Sequence, residues 1–234
     1  MSRAQRNRGE ASLVLTGGGI LESVLAAIAA AGSGAEVAWD HVDIFWGDER
    51  FVPADSADRN ELPARRLLLD KVPVDPGRVH PMPAAAAKFG DDADAAARAY
   101  QQVLSGATHL DQGNGVPHFD VVLMGIGPDG HCCSLFPGQP GVYETEAAVI
   151  AVHDSPKPPP TRLSLTFPAL DEANEIWFIA SGSGKADAVS LALGGAGRVQ
   201  VPAAGPRGRS RTLWLIDAAA AAALPAALRP QTNL

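Results

Sequence analysis

Short apolar runs alternate with segments of helical periodicity along the chain. Apolar, β-prone runs predict strands, whereas apolar residues that recur every three or four positions predict helices. The predicted strands are residues 12–16, 42–46, 121–124, 149–152, 162–167, 176–180 and 213–216. The predicted helices are residues 21–31, a segment capped by Asn60, residues 91–105 and 185–193, and a final segment capped by Asp217. Strands separated by helices pair in parallel, so the pattern predicts one layered α/β domain over residues 1–234.

The composition limits the possible partners. The 234 residues are 46% hydrophobic and carry a formal net charge of -7 without a basic tail, which disfavours nucleic acid and anionic membranes. No run approaches the ~18 apolar residues of a membrane span, and the N-terminal residues lack the apolar run of a signal peptide. Cys132 and Cys133 are adjacent and rarely bridge in such positions, so we expect packed thiols in a reducing compartment. We therefore expect a cytoplasmic monomer that acts on a small molecule.

Polar and glycine clusters follow the carboxyl ends of three predicted strands. These clusters begin at Gly17, at Asp48 and at Gly125. Ligand sites in open parallel sheets lie beyond the carboxyl ends of the strands. We therefore expect the three clusters to meet in one crevice.

The first two clusters are typical of anion binding. The backbone N–H groups of Gly17, Gly18 and Gly19 precede a helix and can approach a phosphate closely, although a simple tight turn explains them equally well. In the second cluster, Arg50 offers a planar fork for a phosphate or a carboxylate. Asp48 offers a carboxylate to orient a histidine or to bind sugar hydroxyls. The alternative for this cluster is a solvated turn with a local ion pair.

The third cluster combines a glycine loop with a histidine. Residues 125–130 spell GxGxxG, but Pro128 and Asp129 interrupt the dinucleotide fingerprint, so we expect no nucleotide cofactor. His131 closes the loop two residues after Asp129, and a base that titrates near neutral pH beside an acid suits water activation. The other histidines are expected to be structural. Asp48, Asp129 and His131 match no zinc-ligand spacing, so we expect no metal.

Two further cations follow irregular segments. Arg162 lies on a predicted strand after three prolines, and Lys185 begins a predicted helix after Gly182 and Gly184. Each is a surface cation by default. Together with Arg50 they are suited to surround a phosphate.

Four motifs then occur in order along the chain. They are residues 45–50 (FWGDER) with Val52, Pro53 and Asn60, residues 125–131 (GIGPDGH) with 134–138 (SLFPG), residues 157–166 (KPPPTRLSLT), and residues 182–186 (GSGKA). In combination they closely resemble the signatures of the 6-phosphogluconolactonase family, from about Ser12 to Asp217. This family is related to the glucosamine-6-phosphate deaminases and implies a Rossmann-like fold, an open and mainly parallel sheet with helices on both faces.

The resemblance also implies an activity. It implies hydrolysis of 6-phospho-D-glucono-1,5-lactone to 6-phosphogluconate in the oxidative pentose phosphate pathway, without a cofactor. By resemblance His131 activates water, and Asp48 and Arg50 belong to the catalytic site. The residues implied to bind the substrate or its phosphate are Gly17, Gly18, Gly19, Gly127, Asp129, Gly130, Arg162 and Lys185.

The chain departs from the family in two places. Ile20 and Leu21 follow the first glycines, where members usually carry a threonine or another polar residue. Only about a dozen residues precede Leu13, so the N-terminal helix that members commonly have is expected to be missing or shortened.

Two other functions remain as alternatives to the lactonase. A deaminase–isomerase of the same superfamily places a glutamate soon after the histidine, whereas residues 134–137 contain no acid. A non-catalytic sugar-phosphate-binding regulator needs a DNA-binding module, for which the sequence offers neither a basic surface nor room before Leu13. Both are therefore disfavoured.

Overall fold

The computed structural model describes residues 1–31, 37–107, 109–110 and 112–228. In this part of the chain the strands are β1 (Ala11–Leu15), β2 (Val42–Trp46), β3 (Asp48–Arg50), β4 (Gln112–Gly113), β5 (Val116–Pro117), β6 (Val121–Met124), β7 (Val149–Val152), β8 (Arg162–Leu165), β9 (Glu175–Ala180) and β10 (Arg211–Ile216). The α-helices are α1 (Ser2–Arg8), α2 (Gly19–Ala30), α3 (Glu61–Leu67), α4 (Ala93–Gly106), α5 (Phe167–Leu170) and α6 (Ala186–Leu193).

A five-stranded parallel sheet forms the core, in the order β10-β9-β6-β1-β2. Every residue of β1, β2 and β6 is buried, as expected for parallel strands that are covered on both faces. Strand β10 forms an edge of the sheet and is more exposed. The predicted α/β fold with an open, mainly parallel sheet is confirmed.

A second sheet is antiparallel, with the order β3-β8-β7. The general expectation of parallel pairing is therefore wrong for residues 149–152 and 162–167. A short loop without a helix joins these two strands, and such a connection suits antiparallel rather than parallel neighbours. Residues 48–50, expected as a polar cluster after a strand, form a short strand of this sheet. The sheet carries Asp48, Arg50 and Arg162 towards the carboxyl ends of β1 and β2.

Helix α1 is present before β1 and is seven residues long. Two helix predictions need correction. Helix α3 follows Asn60, but the Asn60 side chain does not cap it. No α-helix follows Asp217 among the described residues, only a 3-10 turn at Ala226–Leu228. The alanine run has no apolar–polar periodicity and forms turns, with Asp217 Oδ1 accepting from Ala220 N at 2.7 Å. None of the described helices is long and apolar enough to cross a membrane.

Candidate active site

A cavity of about 390 Å³ opens beyond the carboxyl ends of β1, β2 and β6. The predicted residues that line it are Gly17, Gly18, Gly19, Asp48, Arg50, Gly127, His131, Arg162 and Lys185. The expected meeting of the three clusters in one crevice is therefore confirmed. Its volume is in the range of small-molecule sites.

Two predicted residues, Asp129 and Gly130, do not line this cavity. Gly130 has a φ of 87° and packs against Val201, where an added Cβ would lie 2.9 Å from a valine methyl carbon. Its place in the loop is thus set by backbone conformation and close packing. Asp129 lies directly behind His131.

His131 and Asp129 form a hydrogen-bonded pair, with Nδ1 of the ring 2.6 Å from Oδ1 of the carboxylate. Burial raises the pKa of Asp129, but the hydrogen bonds and positive charges of His131 and Lys157 outweigh burial and hold this pKa well below its ordinary value. Asp129 is therefore ionised, and the proton between the two groups belongs to Nδ1. In the neutral ring Nε2 is then the acceptor, which is the tautomer that a general base requires.

Gly127 provides the space for this pair. A Cβ at position 127 would overlap Nδ1 of His131 and Oδ1 of Asp129. The backbone N–H of Gly127 donates to the carbonyl of His131 at 2.9 Å, and the N–H of Gly130 donates to the carbonyl of Gly127 at 2.9 Å. The glycine loop thus closes tightly around the histidine–carboxylate pair.

Lys157 is a site residue to which the sequence analysis gave no role. Its Nζ lies 3.1 Å from Oδ1 of Asp129 and 3.1 Å from Nδ1 of His131, and the residue lines the cavity. Arg162 holds the loop that carries it, because Nη2 donates to the carbonyls of Lys157 at 3.1 Å and Pro158 at 3.0 Å. The only sequence signal was its place at the start of the proline motif.

Asp48 is buried and joins three segments of the chain. Its Oδ1 accepts from the Thr16 hydroxyl at 3.0 Å, its Oδ2 accepts from the Ser134 hydroxyl at 2.8 Å, and its carbonyl accepts from the Asn60 amide at 3.0 Å. Within the described residues, none of the hydrogen bonds of Asp48 goes to His131. The carboxylate that orients the histidine is Asp129.

Arg50 is held from below by Asn60 and its loop. Its Nη1 donates to Oδ1 of Asn60 at 2.8 Å and to the carbonyl of Asp58 at 2.7 Å, so Nη2 remains for a ligand. A Cβ on Gly17 would overlap the Asn60 side chain, so the first glycine of the cradle also allows this close contact.

Glu49 fixes the same loop and caps α3. Its carboxylate is 1% exposed and accepts from the backbone N–H groups of Asn60 at 2.7 Å and Glu61 at 3.0 Å. Burial raises the pKa of Glu49, and the charge of Arg59 opposes this rise. The alternative of a solvated turn for this cluster is therefore wrong.

Four cations line the cavity: Arg50, Lys157, Arg162 and Lys185. Burial lowers the pKa of Arg162, and the charge of Arg50 lowers it further while Asp48 opposes the change. Burial also lowers the pKa of Lys185, with the charge of Lys157 adding to the effect. These charges repel one another, so an anion bound among them is favoured.

Phe136 and the two cysteines complete the surroundings. The Phe136 ring lies 4.7 Å from the His131 ring and 5.7 Å from the Arg162 guanidinium. An apolar ring thus contacts the histidine in the segment where the deaminase alternative requires an acid. Cys132 and Cys133 are buried and unpaired, and burial raises the pKa of both thiols, which confirms their predicted packing role.

A cluster of potential metal ligands lies near the amino ends of β1 and β2. Among the described residues, Glu10, Asp43 and His109 place ligand atoms within 4.8 Å of one another. Nη1 of Arg78 lies 2.6 Å from Asp43 and 3.3 Å from Glu10. The guanidinium already balances these carboxylates, so the cluster is an ion-pair network remote from the cavity.

Comparisons with known proteins find relatives over most of the chain. The family model for glucosamine-6-phosphate isomerases/6-phosphogluconolactonase matches residues 1–214. A 6-phosphogluconolactonase of Streptomyces coelicolor is 53% identical over 230 residues, which cover 98% of this chain and 88% of that protein. One of Mycobacterium tuberculosis is 52% identical over 218 residues, which cover 93% and 87%.

The fold comparison gives the same result. The solved structure of 6-phosphogluconolactonase from Trypanosoma brucei matches with a TM-score of 0.78 at 28% identity, covering 96% of this chain and 88% of that chain. The matched length, the high identity and the shared fold together establish that the chain belongs to the glucosamine-6-phosphate isomerase/6-phosphogluconolactonase family.

Proposed function

We propose that the protein hydrolyses 6-phospho-D-glucono-1,5-lactone to 6-phosphogluconate, a step of the oxidative pentose phosphate pathway. The observation that carries this proposal is the His131–Asp129 pair at a cavity lined by four cations. A general base can activate water to hydrolyse an ester, and the cations can bind the phosphate of a phosphorylated substrate. The names of the relatives from Streptomyces coelicolor and Mycobacterium tuberculosis support the same substrate.

The phosphate is bound by Arg162 and Lys185 in this proposal, with help from the backbone of residues 17–19. Helix α2 begins at Gly19, and Gly17, Gly18 and Gly19 line the cavity, so the positive end of the helix is close to an anion bound there. The formal net charge of the chain is -7, so a cluster of four cations in one cavity indicates a local anion-binding site. A substrate phosphate is the anion that this proposal assigns to it.

The reaction begins with water held between Nε2 of His131 and the lactone carbonyl. His131 takes a proton as the water oxygen bonds to the carbonyl carbon, and Asp129 stabilises the imidazolium that forms. Arg50 stabilises the negative charge on the carbonyl oxygen of the tetrahedral intermediate. The carbon–ring-oxygen bond then breaks, His131 returns its proton to that oxygen, and the carboxylic acid of the product ionises. Asp48 holds together the three segments that carry Thr16, Ser134 and Asn60 around the cavity. Neither a metal nor a cofactor takes part.

We place this activity in a cytoplasmic monomer. Two adjacent, unpaired and buried thiols suit a reducing compartment. Every residue with a role in the proposal comes from one chain, so the site needs no second copy. Size-exclusion chromatography with light scattering tests the monomer directly.

The deciding assay follows the loss of freshly generated phosphogluconolactone against its spontaneous hydrolysis. The proposal predicts acceleration proportional to enzyme concentration, and His131→Asn should abolish most of it. A parallel assay with glucosamine 6-phosphate tests for ammonia release, which we expect to be absent because Phe136 contacts the histidine where the deaminase needs an acid. Ammonia release without lactone hydrolysis would replace the proposed function.

A further inference from the structure

Two side-chain nitrogens meet at one oxygen, Oδ1 of Asp129. Nδ1 of His131 lies 2.6 Å from it and Nζ of Lys157 lies 3.1 Å from it, while the two nitrogens are 3.1 Å apart. Both nitrogens donate to the same carboxylate, so no hydrogen bond links them. When the ring is protonated, the interaction between Lys157 and His131 is a repulsion between two positive charges at short range.

We infer that Lys157 acts as a positioning residue that keeps His131 neutral, by opposing the imidazolium that Asp129 alone would stabilise. This inference rests on the proposed function, in which neutral His131 is the general base. A carboxylate 2.6 Å from the ring favours the charged ring, which cannot accept a proton from water. The Lys157 ammonium opposes this stabilisation of the charged ring. It leaves intact the hydrogen bond from Nδ1 of His131 to Asp129, which fixes the tautomer.

The structure holds Lys157 in this place. The Lys157 carbonyl accepts from the Ser155 hydroxyl at 3.0 Å and from Nη2 of Arg162 at 3.1 Å. The side chain is 37% exposed and that of His131 is 19% exposed. Partial exposure weakens the repulsion through solvent screening without removing it.

The other charged groups near the ring act in the same direction. Lys185 interacts electrostatically with both Lys157 and Asp129, and Arg162 lies over the Phe136 ring that contacts His131. Asp129 is thus the one carboxylate in contact with the ring among the described residues, and Lys157 is the cation nearest to it. Replacing Lys157 therefore removes the positive charge nearest to the His131 ring.

The test is an NMR titration of the His131 ring in the free protein, without substrate. His131→Asn assigns the signal. Lys157→Met should raise the midpoint by at least half a pH unit, because the remaining carboxylate then favours the charged ring. Asp129→Asn should lower it. Lys88→Met removes an exposed lysine outside the cavity and should leave it unchanged. An unchanged or lowered midpoint in Lys157→Met overturns the inference.

The pH dependence of kcat/KM separates this inference from the proposed function. The acid limb should move to higher pH in Lys157→Met, by the same amount as the midpoint, and Lys157→Arg should restore the wild-type profile. A shifted midpoint with an unshifted acid limb would retain the charge balance and contradict His131 as the base. An inactive wild-type protein would contradict the proposed function, while the titration would still decide the role of Lys157.

Discussion

Gly127→Ala should damage catalysis out of proportion to its size. The new Cβ would overlap the contact between His131 and Asp129, so the ring or the carboxylate must move and their hydrogen bond must break. A hydrogen bond to a charged group contributes about 1.5–3 kcal/mol. At about 1.36 kcal/mol for each factor of ten, kcat should fall by about 10- to 150-fold. KM should change little, since the cations proposed to bind the phosphate stay in place.

Gly125→Ala is the matched control in the same loop. Its Cβ would meet the Leu21 side chain at 3.4 Å and the Gly17 carbonyl oxygen at 4.0 Å, which are ordinary contacts. We therefore expect kcat to stay within about threefold of wild type. Initial rates with fresh lactone give kcat and KM for both variants, and thermal unfolding confirms that both are folded. In a His131→Asn background Gly127→Ala should have almost no further effect on kcat, because the pair is already lost. A folded Gly127→Ala protein with wild-type kcat would refute the reasoning.

Three further predictions concern phosphate binding, metal dependence and the ion-pair network around Asp43. Lys185→Ala should lower kcat/KM for the phosphorylated lactone by about tenfold or more and leave the value for the unphosphorylated lactone unchanged, and equal values for the two lactones in wild type would remove the phosphate site. Exhaustive chelation should leave the rate unchanged, and activity that returned with one divalent ion would refute the general-base mechanism. Burial raises the pKa of Asp43, but His80, His109 and Arg78 outweigh burial and lower this pKa. The ionised Asp43 therefore stabilises the fold above about pH 4, and this stabilisation is lost as the pH falls through the pKa of Asp43 in the folded protein. Asp43→Asn should therefore reduce the free energy of unfolding by about 1–3 kcal/mol at neutral pH, as measured by urea unfolding. The free energy of unfolding of the variant should also fall less steeply than that of wild type as the pH is lowered.

Three strands could be predicted to the residue from the sequence, and two of them, β2 and β6, are completely buried. The runs 42–46, 121–124 and 149–152 match the observed strands to the residue, since a continuous apolar run bounded by turn residues has few other solutions. The segment after Asp217 shows the opposite case. Its alanines have no polar face that fixes a helix, and local capping by Asp217 produces turns.

The site could be predicted only in part, because its charges are compensated by residues far apart in sequence. Asp48 and Glu49 suggested a solvated turn, yet they are buried because Thr16, Ser134 and the α3 loop supply their hydrogen bonds. The position of the cavity could be predicted without these contacts, because ligand sites in open parallel sheets lie beyond the carboxyl ends of the strands. Lys157 escaped notice because a lysine before prolines is ordinarily a surface residue, and only the fold brings it to Asp129.

The central claim is that His131 is the base that activates water, and the pH dependence of kcat/KM in wild type and His131→Asn tests it most directly. Wild-type kcat/KM should fall towards acid over the range in which the imidazole takes up a proton. The variant should bind 6-phosphogluconate nearly as well as wild type, lose about 100-fold or more in kcat, and lack that acid limb in its residual activity. A folded variant that binds the product, turns over at nearly the wild-type rate and retains the acid limb would contradict the account.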